Sequence, residues 1–256
     1  MNGEVSMQIS KLVSVVIPFY KELELIERAV SSVISQTLPP GCSVEVVIGN
    51  DGSYSESEIR SRLSVDQNAI CTIVKNFGVN GAGNARNVAI DASRGDHIAF
   101  LDADDYWCEN KLLRQLELIG SGASFVAGGY QFVGSASEIF APQSIRDTAD
   151  LLRKLRVSTS SVLLSRQLCG ESRFTNLRFS QDTEFWARLA GKPGFKYAAV
   201  PSVVAMYAPS GRTSNKFVQA VAFRKVVRRF SVGPINRLEI YIRYATRGVL
   251  NHYLLR

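Results

Sequence analysis

The sequence predicts an α/β fold, a mostly parallel central sheet with helices on both faces. Three observations predict it. Short apolar, β-branched runs alternate with helix-period segments over the first hundred residues. The runs lack polar alternation, as strands buried on both faces do. Two polar clusters, 49–53 and 102–105, follow strand-like runs directly, at the carboxyl ends where ligands of such sheets bind.

Leu12–Ile17 (LVSVVI) is the first strand, stopped by Pro18. Glu22–Gln36 places Leu25, Ile26, Ala29, Val30, Val33 and Ile34 at helical spacing, and Pro39-Pro40-Gly41 ends that helix. Val44–Ile48 is a second strand, Glu56–Leu63 a helix and Ala69–Val74 a third strand. Asn84–Ala92 is helical with Gly95 beyond it, and Ile98–Leu101 is a fourth strand entering Asp102-Ala103-Asp104-Asp105. The pattern then loosens. Helices are expected over Lys111–Ile119, Thr148–Arg156 and Ser180–Leu189, the last with Ser180 placed to cap it. Phe125–Val133 and Ser160–Leu164 read as extended, and 215–230 and 235–254 as helical. There is no internal repeat or low-complexity segment.

Composition narrows the class. With 46% hydrophobic and 21% charged residues in 256, disorder and a collagen-like fibre are excluded. No run of eighteen apolar residues exists to span a bilayer, and Met1–Ser10 has no signal-peptide pattern. Cys42, Cys71, Cys108 and Cys169 form no CxxC pair, so reduced thiols in a cytoplasmic protein are expected. The net charge of +7 is uneven: residues 212–256 hold ten Lys/Arg and one acid, Glu239, whereas residues 1–211 hold twenty basic and twenty-two acidic residues. An anionic partner is therefore expected for the C-terminal segment.

Asp102-x-Asp104 after an apolar strand is the strongest local signal. Two carboxylates so spaced can present oxygens to one hard divalent cation and the phosphates it bridges, although an isolated pair of this kind is more often a solvated turn. No GxxxxGK[ST] loop accompanies it. The Gly78–Arg86 segment (GVNGAGNAR) has Arg86 at the third glycine position and does not follow the first strand, which rules out a dinucleotide fingerprint. It reads either as a loop delivering Arg86 to a phosphate or as a plain connection. Asn50-Asp51-Gly52-Ser53 alone is an ordinary turn. Asp182 alone could be a capping-region carboxylate, Phe185 and Trp186 read as core, and His97 and His252 lack metal-ligand spacing.

The order of these features changes the reading. VSVVIPFY (13–20), NDGS (50–53), GNARN (83–87), LDADD (101–105) and QDTEFWARL (181–189) occur in sequence at characteristic separations. Together, from about Leu12 to Asn215, they resemble the family-2 inverting glycosyltransferases of the GT-A fold, of the type that assembles bacterial surface polysaccharides. The resemblance implies a glycosyltransferase domain over 1–211, with its nucleotide-binding part at about 11–105 and its acceptor part at about 106–211. A basic, aromatic helical segment, 212–256, follows. It implies that Pro18, Tyr20 and Asp51 hold the nucleotide base, that Arg86 lies near the nucleotide, and that Asp104 binds Mn²⁺ or Mg²⁺. Asp102 would contact the ribose or the metal shell, and Asp182 would be the catalytic base, its ionisation favoured in the first turn of a helix. Asn50 stands where the family more often has Asp, and Gln181 where it more often has Glu.

The implied substrates are a nucleotide-sugar, with uridine favoured, and a lipid-diphosphate-linked saccharide. A non-catalytic nucleotide- or glycan-binding member is the alternative, opposed by intact Asp102, Asp104 and Asp182. A nucleotidyltransferase would carry a Gly-rich loop where Pro18-Phe19-Tyr20-Lys21 stands, and a processive synthase would carry membrane helices and a QxxRW motif. In the C-terminal segment, Phe217, Phe223, Phe230, Tyr241, Tyr244 and Tyr253 interleave with the cations. That combination predicts peripheral attachment to an anionic membrane on its cytoplasmic face, not nucleic-acid binding; the alternative is that these aromatic residues pack on the catalytic domain and the charges are simply solvated.

Overall fold

The computed structural model describes residues 11–208 and 216–254; the reading of Met1–Ser10 and the junction at 209–215 lie outside these. The first half comprises β1 (Lys11–Phe19), α1 (Ile26–Ile34), β2 (Cys42–Asn50), α2 (Glu56–Arg60), α3 (Val65–Ile70), β3 (Cys71–Lys75), α4 (Ala82–Ala92) and β4 (His97–Phe100). The second comprises β5 (Tyr106–Trp107), α5 (Lys111–Gly120), β6 (Phe125–Phe132), β7 (Glu138–Ile139), α6 (Thr148–Lys154), β8 (Leu163–Ser165), α7 (Arg166–Cys169), α8 (Gln181–Ala190), β9 (Tyr197–Tyr207), α9 (Lys216–Arg228) and α10 (Pro234–Leu254). One sheet runs β3-β2-β1-β4-β8-β6-β9-β5, with β7 paired to β6. β3, β2, β1 and β4 are parallel; β8 is antiparallel to β4 and to β6, and β6 is parallel to β9.

β1 is almost wholly apolar because it is covered on both faces, and its one buried polar side chain, Ser14, donates to Glu45 at 2.8 Å. Val13, Val15, Ile17 and Phe19 pack with α1 and α5 on one side, while Val16 joins α4 and α8 on the other. The second layer is rich in aromatic rings: Trp186 sits edge-on to Phe100 and Phe125 at 5.2 and 5.4 Å.

Three local expectations are corrected. The first helix begins at Ile26, because the Glu22 carboxylate accepts the Tyr20 and Lys21 N–H groups at 2.9 and 2.8 Å and holds the entry as a turn. The third strand begins at Cys71: Ser64 and Gln67 form a reciprocal capping box that starts α3 across residues read as extended. Ser180 does precede α8, but in a left-handed conformation (φ 56°) whose side chain makes no capping bond.

The C-terminal helices dock on the body. Phe223, Val226, Val227 and Ile240 belong to the same buried cluster as Trp186. Phe223 stacks on Tyr244 at 4.3 Å, and Arg153 of α6 reaches Asn236 at 3.1 Å and Glu239 at 3.6 Å. The aromatic residues expected at an outer surface therefore divide. Phe223 is buried and Phe230, Tyr241 and Tyr244 pack inward, whereas Phe217 is exposed; the Tyr253 side chain lies outside the described residues.

Candidate active site

The parallel register sets the carboxyl ends of β1, β2 and β4 side by side. Phe19 pairs with Asn50, Val16 with Phe100, and the Asp51 N–H donates to the Phe19 carbonyl at 2.7 Å. Above these ends opens a cavity of about 820 Å³, lined by Pro18, Tyr20, Asp51, Arg86, Asp102 and Asp104 together with Gln181, Arg178 and Tyr207. Six of the seven sequence-predicted residues thus share one cavity. The seventh, Asp182, does not line it; its neighbour Gln181 does.

The NDGS turn is built by close approach. A Cβ on Gly52 would lie 1.8 Å from the Tyr20 carbonyl oxygen, so only glycine lets the two strand ends meet. Asn50 is buried, its Oδ1 accepting the Gly52 N–H at 3.0 Å and its Nδ2 donating to the Tyr54 carbonyl at 2.7 Å. A carboxylate could make the first bond and not the second, which is a local reason for Asn at this position. Asn50→Ala leaves both backbone groups unpaired and is expected to lower stability by about 2 kcal/mol. An unchanged thermal midpoint would contradict this. Asp51 accepts from Asn76 Nδ2 at 2.6 Å and from the Gly81 N–H at 2.7 Å, tying the turn to the Gly-rich loop. Each carboxylate oxygen keeps a further lone pair.

Arg86 and Asp102 form a pair at the cavity wall. The Arg86 side chain is buried, its Nη2 donates to Asp102 Oδ1 at 2.5 Å, and its guanidinium stands 5.3 Å from the Phe174 ring centroid. Asp182 is half-buried at the start of α8 and accepts the Thr183 N–H at 2.7 Å. Loss of water pushes its carboxyl above the ordinary aspartate value; the Thr183 N–H and Arg86 pull it down, and the charge of Asp102 pushes it up. Burial is the largest of these influences, and Asp102 is a like charge in the surroundings of Asp182.

The acid loop holds one residue that sequence reasoning passed over. Asp105 is buried, accepting from Ser160 Oγ at 2.7 Å and from the Ala208 N–H at 3.0 Å. Burial and then the charge of Asp102 push its carboxyl up to about 8. The Ser160 hydroxyl also accepts the Asp102 N–H at 3.1 Å and its carbonyl accepts from Trp107 Nε1 at 2.8 Å, so Ser160 ties Asp102, Asp105 and Trp107 together. The only sequence signal for Asp105 was its place beside the Asp-x-Asp pair. Tyr207, at the end of β9, also reaches the cavity, its hydroxyl meeting Ser158 and the Ser160 N–H. That strand was not expected because Pro201 interrupts it; the pairing with β6 skips from Val200 to Val203 at that point.

A divalent cation fits this donor set in one way. Among the described residues no cluster of three or more His, Cys, Asp or Glu is arranged to hold a metal alone. Asp102 and Asp104 instead offer hard oxygens on a cavity wall, the arrangement in which one or two carboxylates share a cation with substrate phosphates.

Comparison with known proteins agrees with this architecture. Over 247 residues the chain is 27% identical to the UDP-Glc:alpha-D-GlcNAc-diphosphoundecaprenol beta-1,3-glucosyltransferase WfgD of Escherichia coli, covering 94% of this chain and 95% of that one. Its fold resembles that of S. aureus TarS 1-349 in complex with UDP (TM-score 0.63, 17% identity, 92% of this chain and 71% of that chain). It also resembles the mannosyltransferase PcManGT from Pyrobaculum calidifontis in complex with GDP-Man and Mn2+ (TM-score 0.62, 15% identity, 93% and 70%). These likenesses show a GT-A fold. Residues 14–179, which carry all the motifs from the first strand to the approach of α8, match the Glycosyl transferase family 2 description; the chain belongs to that family.

Proposed function

We propose that the protein transfers a hexose from a uridine nucleotide-sugar to a lipid-diphosphate-linked saccharide, with inversion at the anomeric carbon, in the assembly of a bacterial surface polysaccharide. The observation that carries the reading is the convergence of Asp51, Arg86, Asp102 and Asp104 on one cavity at the strand ends, beside the helix that bears Asp182. The end-to-end similarity to a glucosyltransferase named for a diphosphoundecaprenol-linked acceptor supports the acceptor class.

In this reading Pro18, Tyr20 and Asp51 hold the base, and Arg86 and Asp102 orient the ribose and diphosphate. Asp104, with Asp102, holds Mn²⁺ or Mg²⁺. When bound, the cation neutralises charge on the leaving nucleoside diphosphate. Asp182 takes the proton from the acceptor hydroxyl while that oxygen bonds to the anomeric carbon and the bond to the diphosphate oxygen breaks. Its position beside the cavity wall is compatible with a base whose hydrogen bond forms only with acceptor bound. The enzyme works from the inner face of the cytoplasmic membrane, drawn there by the basic segment 212–256; no described helix is long and apolar enough to cross a membrane.

The test is transfer from UDP-glucose, UDP-galactose and UDP-N-acetylglucosamine to a panel of lipid-diphosphate saccharides. Transfer from at least one donor is expected. A protein that binds UDP yet transfers from none of them would overturn the proposal and favour a non-catalytic role.

A further inference from the structure

One side of α10 is held, and the other carries exposed aliphatic side chains. Ile240 is fully buried, Tyr244 stacks on Phe223, and Asn236 and Glu239 meet Arg153 of α6, so the rotation of the helix is fixed. On the remaining side Ile235, Leu238 and Ile242 are 83%, 62% and 54% exposed. Steps of three and four residues stack such side chains along one face of a helix. Exposed aliphatic residues are ordinary when scattered singly. Three in register on a fixed helix make an outward apolar face.

The charge of the C-terminal segment as a whole selects the occupant of this face. α9 packs on α10 through Phe223 and Tyr244, and its Arg224, Lys225 and Arg228 are exposed with no ion pair among the described residues. The segment from 212 onward holds ten basic residues against one acid. A second copy of the chain on the same face would bring two such cationic segments together, which like-charge repulsion opposes. An anionic lipid surface answers both the aliphatic stripe and the cations.

We infer that α10 lies in the membrane–water interface with Ile235, Leu238 and Ile242 among the acyl chains, while the exposed cations of α9 face anionic headgroups. The aliphatic residues, not the inward-packed aromatic ones, make the apolar contact. This deepens the membrane-attached reading proposed above by naming the surface that meets the bilayer.

The test uses the full chain without donor or acceptor, so its outcome is independent of the catalytic reading. Vesicles of phosphatidylglycerol and phosphatidylethanolamine are compared with vesicles of phosphatidylcholine by co-sedimentation. Wild-type protein should bind the anionic vesicles, and the triple substitution Ile235→Ser, Leu238→Ser, Ile242→Ser should weaken partitioning by about tenfold or more, with an unchanged thermal midpoint. The difference between the two proteins should persist at high salt, where attraction by the cations is screened. As a second readout, Leu238→Trp should add a fluorescence component that shifts to the blue on anionic vesicles. Equal binding by wild type and triple variant, no binding by wild type at low salt, or no blue shift would overturn the inference. So would a wild-type dimer that the triple substitution converts to a monomer, since the stripe would then be a contact between copies.

Discussion

Asp182→Asn is expected to lower turnover by about 10²-fold or more while nucleotide-sugar affinity stays close to that of the wild type. The substitution keeps the size of the side chain and removes its capacity to take a proton. Asp182 is half-buried, and its carboxyl accepts the neighbouring Thr183 N–H at 2.7 Å and, at the limit of reach, the Thr183 hydroxyl. The amide oxygen can keep the first of these bonds, so the local structure should survive. Loss of donor affinity with unchanged turnover of bound donor would make Asp182 a binding residue. The pH profile supplies a second readout. A base works deprotonated, so activity falls as pH drops through its pKa; burial raises that pKa, and the acid limb should lie above the ordinary aspartate range. The Asn variant should lose that limb.

Asp104→Ala should abolish transfer, and excess EDTA should do the same to the wild-type enzyme until Mn²⁺ or Mg²⁺ is restored. Asp104 is partly exposed on the cavity wall and its backbone carbonyl accepts from Arg28 Nη2 at 2.6 Å, a bond that truncation of the side chain leaves in place. The variant is expected to keep a cooperative thermal transition. Full activity in excess EDTA would remove the metal assignment, while loss of activity together with a collapsed thermal midpoint would place Asp104 among the structural residues.

Much of the first half was legible because its strands are covered on both faces. β1 and β2 read as apolar runs (12–17 and 44–48) broken only by Ser14 and Glu45, which pair with each other, and the polar turns at their ends mark where the sheet stops and the cavity begins. The helix α3 was hidden because the residues after Ser64 drift into an apolar stretch, although the Ser64–Gln67 capping box was present to be read. The second half was harder, since its strands come from distant segments and mix directions. β9 carries a proline at its bulge, and so Tyr207, which closes the acid loop over Ser160, gave no signal.

The site shows the same division. Asp51, Arg86, Asp102 and Asp104 were candidates from residue type and motif order, and all four reach the cavity. What a motif cannot encode is the environment of each group. The buried state of Asp105, the raised carboxyl of Asp182 and the two bonds that suit Asn50 to its turn depend on packing from other segments. The C-terminal segment is the sharpest case. Its charge was evident from composition, but which side chains turn outward was decided by the docking of Phe223 and Ile240 into the body.

Transfer is proposed as a single displacement at the anomeric carbon, with Asp182 as the base. It is tested most directly by determining the anomeric configuration of the first-formed product by NMR, starting from an α-linked UDP-sugar and a lipid-diphosphate saccharide. The account predicts a β-linked product. An α-linked product would contradict it.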